Sequence, residues 1–394
     1  MKRLFCSLAL AVAASLSPAH AADPPIKVGL INLYSGPIAW SAKLFDAGIA
    51  AYVEEHGDVV AGRKIELIRR DEAGPQPDLV KRLAQELIVR DKVDLIMGIA
   101  YTPNAMAIVP LSTEAKMPVI ILNAAATPIL ANAPYMVRIS MTMAQTISPM
   151  ARYMAANGVK RAYLLVAGYG PGIEGEAVFE KVFTGAGGTL VAKDRVPLAN
   201  QDFSAYVQRI KDAKPDAVFL WLPSGPQPLA FLKAFREAGL AAAGIKLFST
   251  GELTDDGYVE SLGDLAEGLI TSHHYSYVHD SPLNKKVVAA AEKALGGTLR
   301  PNLFTAAAYD GMHALYTVVK AQGGKIDPDK TIALLRGLKF ESPRGPIALD
   351  SKNGDIIQNI YIRRTERRDG KLVNVEFQTY PMVKWDGTAS GPDK

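Results

Sequence analysis

The chain has 394 residues, of which 48% are apolar and 21% charged, as is typical of globular proteins. Its 44 Lys and Arg residues against 40 Asp and Glu give a formal net charge of +4, too small an excess for a basic surface that binds a phosphate backbone. We therefore expect no nucleic-acid partner. The single cysteine, Cys6, excludes a disulfide scaffold and a zinc site built from cysteines.

The first 21 residues have the pattern of a secretory signal peptide. Lys2 and Arg3 precede an apolar run over 4–16, and Ala19-His20-Ala21 has the small residues of a cleavage site. The apolar run is too short to span a bilayer as a stable helix. Cleavage after Ala21 would remove the only cysteine and, with Lys2 and Arg3, lower the net charge from +4 to +2.

Apolar strands and helices alternate along the next 250 residues. Strands are predicted at 26–34, 64–69, 93–97, 118–122, 161–167, 190–196, 217–222, 245–248 and 268–272. Helices are predicted between them, with the clearest at 40–55, 77–90, 104–115 and 145–156. Such alternation is typical of parallel sheets that are covered by helices on both faces.

The pattern changes after Glu267. Two helices are predicted at 284–295 and 304–322, and the chain from about Gly345 is rich in strand-forming residues. No linker or repeat separates two consecutive halves of the sequence. We therefore expect two α/β units, each built from discontinuous segments of the chain.

A literal G-x-G-x-x-G motif follows the strand at 161–167. It spans Gly170 to Gly175, and Asp194 lies nineteen residues further on, as in dinucleotide-binding proteins. However, Asp194 lies inside a predicted strand, and Pro171 removes a backbone N–H from a loop that should donate to pyrophosphate. A glycine-rich turn that opens a helix at a cleft is the better interpretation, and no cofactor is expected.

The histidines do not form a predicted metal site. His273 and His274 are adjacent, so on a strand their side chains would point to opposite faces, and His279 and His313 are isolated. We interpret them as solvated or hydrogen-bonded side chains.

Neighbouring acids occur at Glu54-Glu55 and Asp255-Asp256, and we interpret both pairs as solvated charges. The sequence has no G-x-S-x-G nucleophile motif and no other pattern that brings a nucleophile together with its base. We therefore do not expect an enzyme.

Several short segments together resemble one family. In order they are Ser35-Gly36-Pro37, Gly62 to Leu67, Asp91 to Asp94 with Gly98, Pro110-Leu111, Glu114 to Val119, Arg138 and Gln145. Their order and spacing resemble the leucine/isoleucine/valine-binding family of periplasmic solute receptors for ABC importers. The resemblance covers essentially the whole chain after the predicted signal peptide.

The resemblance implies an α/β fold with two doubly wound α/β lobes joined by three crossover segments, as in type I periplasmic binding proteins. Lobe 1 would contain 22–142 and 273–343, and lobe 2 would contain 143–272 and 344–394. The protein would be a monomeric periplasmic receptor that closes on a small carboxylate solute and delivers it to an ABC permease in the inner membrane.

The resemblance also implies a set of ligand-binding positions. They are Ser35, Trp40, Tyr101, Thr102, Ala125, Thr127, Tyr169, Ser224 and Glu252. Hydroxyl and backbone N–H groups at Thr102, Ala125 and Thr127 would hold a ligand carboxylate. Glu252 would pair with a ligand ammonium group, and Tyr169 would cover the ligand from the second lobe.

Two ligand classes remain open at this stage. A branched-chain or other hydrophobic amino acid is the first choice, because Glu252 matches the acid that pairs with an ammonium group. Met143 replaces the usual Asp of the family, Ala131 replaces a common Thr, and the loop at Tyr101 is unusually aromatic. An aromatic carboxylate of the benzoate, hydroxybenzoate or cinnamate type is therefore the alternative. A secreted α/β enzyme and a ligand sensor are further alternatives.

Overall fold

The structure is a computed structural model and describes residues 23–384 except 37, 200 and 298. The predicted signal peptide lies outside the described residues. Within them, no helix has both the length and the apolar character needed to cross a membrane.

Strands form two separate sheets. The first contains β1 (Ile26–Asn32), β2 (Val59–Val60), β3 (Arg63–Asp71), β4 (Leu95–Gly98), β5 (Val119–Ile121) and β6 (Met136–Arg138). The second contains β7 (Arg161–Ala167), β8 (Thr189–Val196), β9 (Ala217–Trp221), β10 (Lys246–Thr250), β11 (Ile270–His273), β12 (Lys339–Ser342), β13 (Gly345–Leu349), β14 (Ile356–Arg368) and β15 (Lys371–Val383).

Both sheets are largely parallel in their centres. The first has the order β2-β3-β1-β4-β5-β6, with only β2 antiparallel to its neighbour. In the second, β8, β7, β9, β10 and β11 are parallel, and β14 joins the edge of β11 in antiparallel orientation with β13 and β15 beside it. Central strands such as β5 and β9 are buried along their whole length, which explains their continuous apolar sequence.

Helices cover the faces of the sheets. They are α1 (Trp40–His56), α2 (Pro77–Glu86), α3 (Thr102–Glu114), α4 (Met143–Ala156), α5 (Gly170–Gly185), α6 (Ser204–Ala213), α7 (Pro226–Glu237), α8 (Val259–Leu262), α9 (Pro282–Leu295), α10 (Leu303–Ala321) and α11 (Pro328–Leu335). A π-helical turn, Leu87–Asp91, extends α2, where the sequence predicts a single helix over 77–90.

The chain passes between the two units three times. Helices α9 and α10 pack on α1, so the chain returns to the first sheet after β11, having left it after β6. It passes to the second sheet again after α11. The close packing of α1 and α10 depends on Gly48, where a Cβ would lie 2.2 Å from the carbonyl oxygen of Thr305. The expected α/β architecture of two lobes joined by three crossovers is thus confirmed.

We call the first sheet with α1–α3 and α9–α11 the first lobe, and the second sheet with α4–α8 the second lobe. The residue boundaries expected from the sequence remain predictions. β12 lies before residue 343 and yet belongs to the second sheet, while Ile347 and Leu349 of β13 contribute side chains to the first lobe's core.

The neighbouring acids Asp255 and Asp256, which we interpreted from the sequence as solvated charges, are buried, and that interpretation was wrong. Asp255 and Asp256 are 2% and 4% exposed, and Asp255 accepts a hydrogen bond of 2.7 Å from Nδ2 of Asn302. Burial raises the pKa of Asp255 to about 7. Asp255 and Asp256 follow the turn Gly251–Thr254 in a short polar segment that resembles a surface loop, but contacts with distant segments, such as Asn302 and Asn374, bury them.

His273 and His274 are likewise buried, and their ring centroids lie 4.4 Å apart. Burial, together with the charges of Arg344 and Arg363, holds the pKa of His274 well below its usual value of 6.5. Both imidazoles are therefore neutral in the folded protein at neutral pH.

We predict that His274 makes the protein sensitive to acid. Below pH 6.5 the unfolded chain binds a proton at this side chain and the folded protein does not, so the free energy of unfolding falls as pH decreases. Relative to His274→Gln, the wild type should lose up to about 1.4 kcal/mol per pH unit between pH 6.5 and 5, measured by chemical denaturation. The control is His56→Gln, which makes the same replacement at an exposed position. Parallel stability profiles of wild type and His274→Gln would contradict this prediction.

Candidate functional site

A cavity lies between the carboxyl ends of the strands of both lobes. Loops that follow β4 and β5 form one wall, and loops that follow β7, β9 and β10 form the other. The cavity encloses about 590 Å³ of empty space, counted to its open mouth. Ligands of open α/β sheets bind at this end of the strands, because loops and helix starts converge there.

The first-lobe wall is built at the start of α3. Tyr101 precedes the helix in an extended conformation, and Thr102 is its first residue. Beneath them the buried carboxylate of Glu72 accepts hydrogen bonds from the N–H of Ala100 (2.8 Å) and from Nδ2 of Asn104 (2.7 Å). Burial raises the pKa of Glu72 to about 7. This network fixes the turn that directs Tyr101 and Thr102 to the cavity.

A second loop of the first-lobe wall follows β5 and contains Ala125. The guanidinium of Arg138 is fully buried and donates from Nη1 to the carbonyl oxygens of Ala124 (3.0 Å) and Ala126 (2.8 Å). Its Nε and Nη2 each donate to a carboxylate oxygen of Asp355 at 2.8 Å. Arg138 therefore holds the Ala125 loop in position with all its hydrogen bonds directed into the protein.

The second-lobe wall explains the glycine-rich motif. Gly172 lies in the first turn of α5, where a Cβ would be 1.8 Å from the carbonyl oxygen of Ala167 and 3.2 Å from the ring of Trp221. At Gly175 a Cβ would be 2.6 Å from Ile147. The glycines thus permit close packing of α5 beside the cavity, in agreement with the interpretation of the motif as a turn at a cleft.

Asp194, the acid at the dinucleotide spacing, lies within β8. It accepts hydrogen bonds from the hydroxyl of Tyr163 and from Nε of Arg209, the latter at 2.8 Å. Its carboxylate is thus occupied within the second lobe. Nor do the described residues include a group of three or more His, Cys, Asp or Glu side chains arranged to hold a metal ion.

Glu252 is the acidic side chain that faces the cavity. It lies in the turn Gly251–Thr254 after β10, is 6% exposed, and burial raises its pKa. Among the described residues, neither its Oε2 atom nor the buried Nε1 of Trp221 makes a hydrogen bond of standard geometry, although Thr250 and Trp221 lie close enough to the carboxyl group to oppose the effect of burial on its pKa. Buried polar atoms normally have partners. This carboxyl oxygen and indole N–H are therefore available to a solute.

Aromatic and apolar groups form most of the remaining wall. The rings of Tyr169 and Trp221 lie 5.7 Å apart at 33°, and Tyr101 and Phe304 contribute two further rings. The described lining residues include no Lys, Arg or His. An anionic solute would therefore depend on hydroxyl and backbone N–H groups, and α3 and α5 both begin at this cavity.

Six of the nine predicted site residues line the cavity: Tyr101, Thr102, Ala125, Tyr169, Ser224 and Glu252. The other three lie outside the lining. The N–H of Ser35 donates to Asp71 at 3.2 Å, and Trp40 packs edge-on against Tyr258 with ring centroids 5.9 Å apart. Both hydrogen-bond donors of Thr127 are bonded to Glu174.

The sequence analysis did not identify several lining residues, including Ile38, Asn123, Met141, Pro171, Pro223, Leu303 and Phe304. Asn123 and Pro223 follow predicted strands, so the carboxyl-end rule could have found them. Phe304 begins a helix far along the chain, and no local signal places it at the cavity.

Comparison with known proteins identifies the family. The model of the periplasmic binding protein family matches residues 25–371. The chain belongs to the periplasmic binding protein family. It is 43% identical to Leu/Ile/Val-binding protein homolog 6 of Brucella melitensis over 94% of this chain and 95% of that protein. The resemblance proposed from the sequence is confirmed.

Solved structures of family members have the same fold. A solute-binding protein of an ABC transporter from R. palustris, in complex with 4-hydroxybenzoate, is 43% identical with a TM-score of 0.89, covering 93% of this chain and 100% of that one. One from Rhodopseudomonas palustris BisB5, in complex with 3,4-dihydroxybenzoic acid, is 46% identical with a TM-score of 0.88, covering 93% and 99%. The structure of a leucine-binding protein, LivK, from Thermotoga maritima is 23% identical with a TM-score of 0.76, covering 90% of this chain and 98% of that one, which is a likeness of fold alone.

We predict that Arg138→Met destabilises the protein by about 3–5 kcal/mol, because it leaves the carboxylate of Asp355 buried without its partner. Chemical denaturation measures this change. Arg195→Met is the matched control: Arg195 is half-exposed and its ion pair with Glu176 should contribute about 1 kcal/mol or less. Equal losses in the two variants would contradict the role assigned to Arg138.

Proposed function

We propose that the protein is the solute-binding receptor of an ABC importer and captures a small aromatic carboxylate of the hydroxybenzoate type between its lobes. One observation carries the choice of ligand: four aromatic residues, Tyr101, Tyr169, Trp221 and Phe304, line a cavity in which one buried carboxyl oxygen, Oε2 of Glu252, makes no hydrogen bond of standard geometry to the described residues. The two hydroxybenzoate-bound relatives, at 43% and 46% identity, support the same choice.

The chemistry of the walls suits such a solute. Aromatic rings bind one another in stacked or edge-on geometry, and Tyr169 and Trp221 offer adjacent ring faces. The starts of α3 and α5, with the hydroxyl of Thr102, supply donors for a carboxylate. Burial raises the pKa of Glu252, and in its neutral form the carboxyl group would both donate to and accept from a ring hydroxyl.

A hydrophobic amino acid is the second candidate. The free Oε2 atom of Glu252 favours it, because an ammonium group beside this oxygen would stabilise the ionised carboxylate. The Leu/Ile/Val-binding homologs at 42–43% identity agree with this choice by name. The two candidate ligands therefore require different protonation states of Glu252: neutral for a hydroxybenzoate and ionised for an amino acid.

The remainder of the proposed role follows from the family. The protein would be exported by its signal peptide, cleaved after Ala21, and would act as a monomer in the periplasm. After closing on its solute it would dock on the permease subunits of the importer and release the solute there. It would carry out no chemical step and use no cofactor or metal.

We predict that 4-hydroxybenzoate stabilises the protein against heat and that leucine does not. A ligand at one hundred times its Kd adds about 2.7 kcal/mol to the free energy of unfolding, which raises Tm by several degrees. A thermal-shift series with 4-hydroxybenzoate, 3,4-dihydroxybenzoate, benzoate, a cinnamate, leucine, isoleucine, valine and urea measures this directly. Protein that has been unfolded and refolded serves as the starting sample, which removes bound solute. A shift with the amino acids alone would replace our first candidate by the second.

We further predict that Glu252→Gln separates the two ligand classes. Glutamine keeps one donor and one acceptor, so the affinity for a hydroxybenzoate should change by less than about threefold, well under the value of a charged hydrogen bond. The affinity for an amino acid should fall by about 10–150-fold, because the ammonium group loses its counter-charge. Titration calorimetry gives both values, and Glu237→Gln, at an exposed position on α7, is the control. A large loss of hydroxybenzoate affinity would show that Glu252 binds this ligand as a carboxylate.

A further inference from the structure

A side-chain contact between Thr127 and Glu174 joins the two lobes beside the cavity, in addition to the hydrogen bond between Asn302 and Asp255 described above. Thr127 follows β5 in the first lobe, and Glu174 lies on α5 in the second. The N–H of Thr127 donates to Oε2 of Glu174 at 2.9 Å, and the hydroxyl of Thr127 donates to Oε1. Each carboxylate oxygen thus receives one hydrogen bond from a single residue of the opposite lobe.

The contact lies outside the cavity lining, but each of its two residues is close in sequence to a residue that lines the cavity. Thr127 is two residues from Ala125, and Glu174 is three residues from Pro171, and both of these neighbours line the cavity. Both members of the contact are half-buried. Neither side chain is therefore positioned as a ligand contact, and each is attached to a wall that the ligand would touch.

The partners of Glu174 set it apart from the other acids on its helix. Glu176, two residues further on, pairs with Arg195 and Lys193 of β8 within the second lobe. Glu180 pairs with Lys193 in the same way. These two contacts are independent of the distance between lobes, whereas the bond between Thr127 and Glu174 requires the lobes to be together.

We propose that Glu174 is a closure residue, which holds the lobes together through Thr127 and slows the release of solute without touching it. This proposal rests on the two-lobe binding role given above. The contact consists only of protein atoms, so it stabilises the closed arrangement whatever solute is bound. It would raise affinity by lowering the dissociation rate, since the encounter with solute occurs before the lobes meet.

Variants on both sides of the contact test this role. Glu174→Gln removes the charge and sets an amide NH₂ against one of the two donors of Thr127, and Thr127→Val removes the hydroxyl. Each should raise the dissociation rate of 4-hydroxybenzoate about tenfold, equivalent to about 1.4 kcal/mol, while the association rate changes less than threefold. The double variant should lose no more than the larger single loss, because both substitutions break the same contact. Glu176→Gln, on the same helix, is the matched control and should leave both rates unchanged.

A measurement of lobe distance keeps the test independent of the ligand. Spin labels at Lys81→Cys on α2 and Lys211→Cys on α6, in a chain carrying Cys6→Ser, report the separation of the lobes. We expect a closed population in wild-type protein without added solute, and we expect it to shrink in Glu174→Gln and Thr127→Val but not in Glu176→Gln.

The outcomes separate the two proposals. If neither 4-hydroxybenzoate nor leucine binds, the proposed ligand classes fail, and the distances without solute still decide the role of Glu174. Wild-type protein with no closed population under any of these conditions would overturn the proposal. So would equal closed populations and equal dissociation rates in wild type and Glu174→Gln.

Discussion

The buried guanidinium of Arg138 is the interaction on which the rest of the site depends. It ends β6 at the first crossover, pairs with Asp355 just before β14, and holds the carbonyl groups on both sides of Ala125. One side chain thereby joins the last strand of the first sheet, the chain that enters the second sheet, and a wall of the cavity. A buried cation is tolerated only where acceptors surround it, so the crossover and the cavity loop are fixed by the same requirement.

Two further buried guanidinium groups lie near the crossovers, and each is surrounded by acceptors of its own. Arg344 is fully buried, lies 3.0 Å from Asp310, and donates to the carbonyl groups of Ile139 and Ser140. Arg363 lies 3.7 Å from Asp256 and donates to the carbonyl group of Tyr275. Irregular backbone at a crossover leaves carbonyl oxygens without sheet partners, and the guanidinium groups satisfy them. The region that connects the lobes therefore has a polar interior. His273 and His274 lie in this region, and the nearby charges of Arg344 and Arg363 favour their neutral form.

The sequence predicted the fold better than it predicted the site, for a physical reason. β7 was predicted at 161–167 and lies there, because strands buried on both faces appear as continuous apolar runs. Tyr101 and Glu252 were predicted from the family resemblance, and both follow such strands. Trp40 begins α1 and Thr127 begins a helical turn after β5, but the position of a residue at the start of a helix does not determine which way its side chain points. Phe304 and the burial of Asp255 depend on contacts between segments distant in the chain, which local patterns do not record.

Glu252 and Glu174, two acids near the cleft, differ in the contacts of their carboxyl groups. Glu252 and Glu174 are both in the second lobe, and burial raises the pKa of each. Glu252 faces the cavity with an oxygen that has no partner among the described residues, so in the proposed function a solute would complete its environment. Glu174 lies outside the cavity with both oxygens bonded to Thr127, so its environment is completed by the opposite lobe. If both proposals hold, recognition and retention of the solute would change independently, since each would depend on a different carboxyl group.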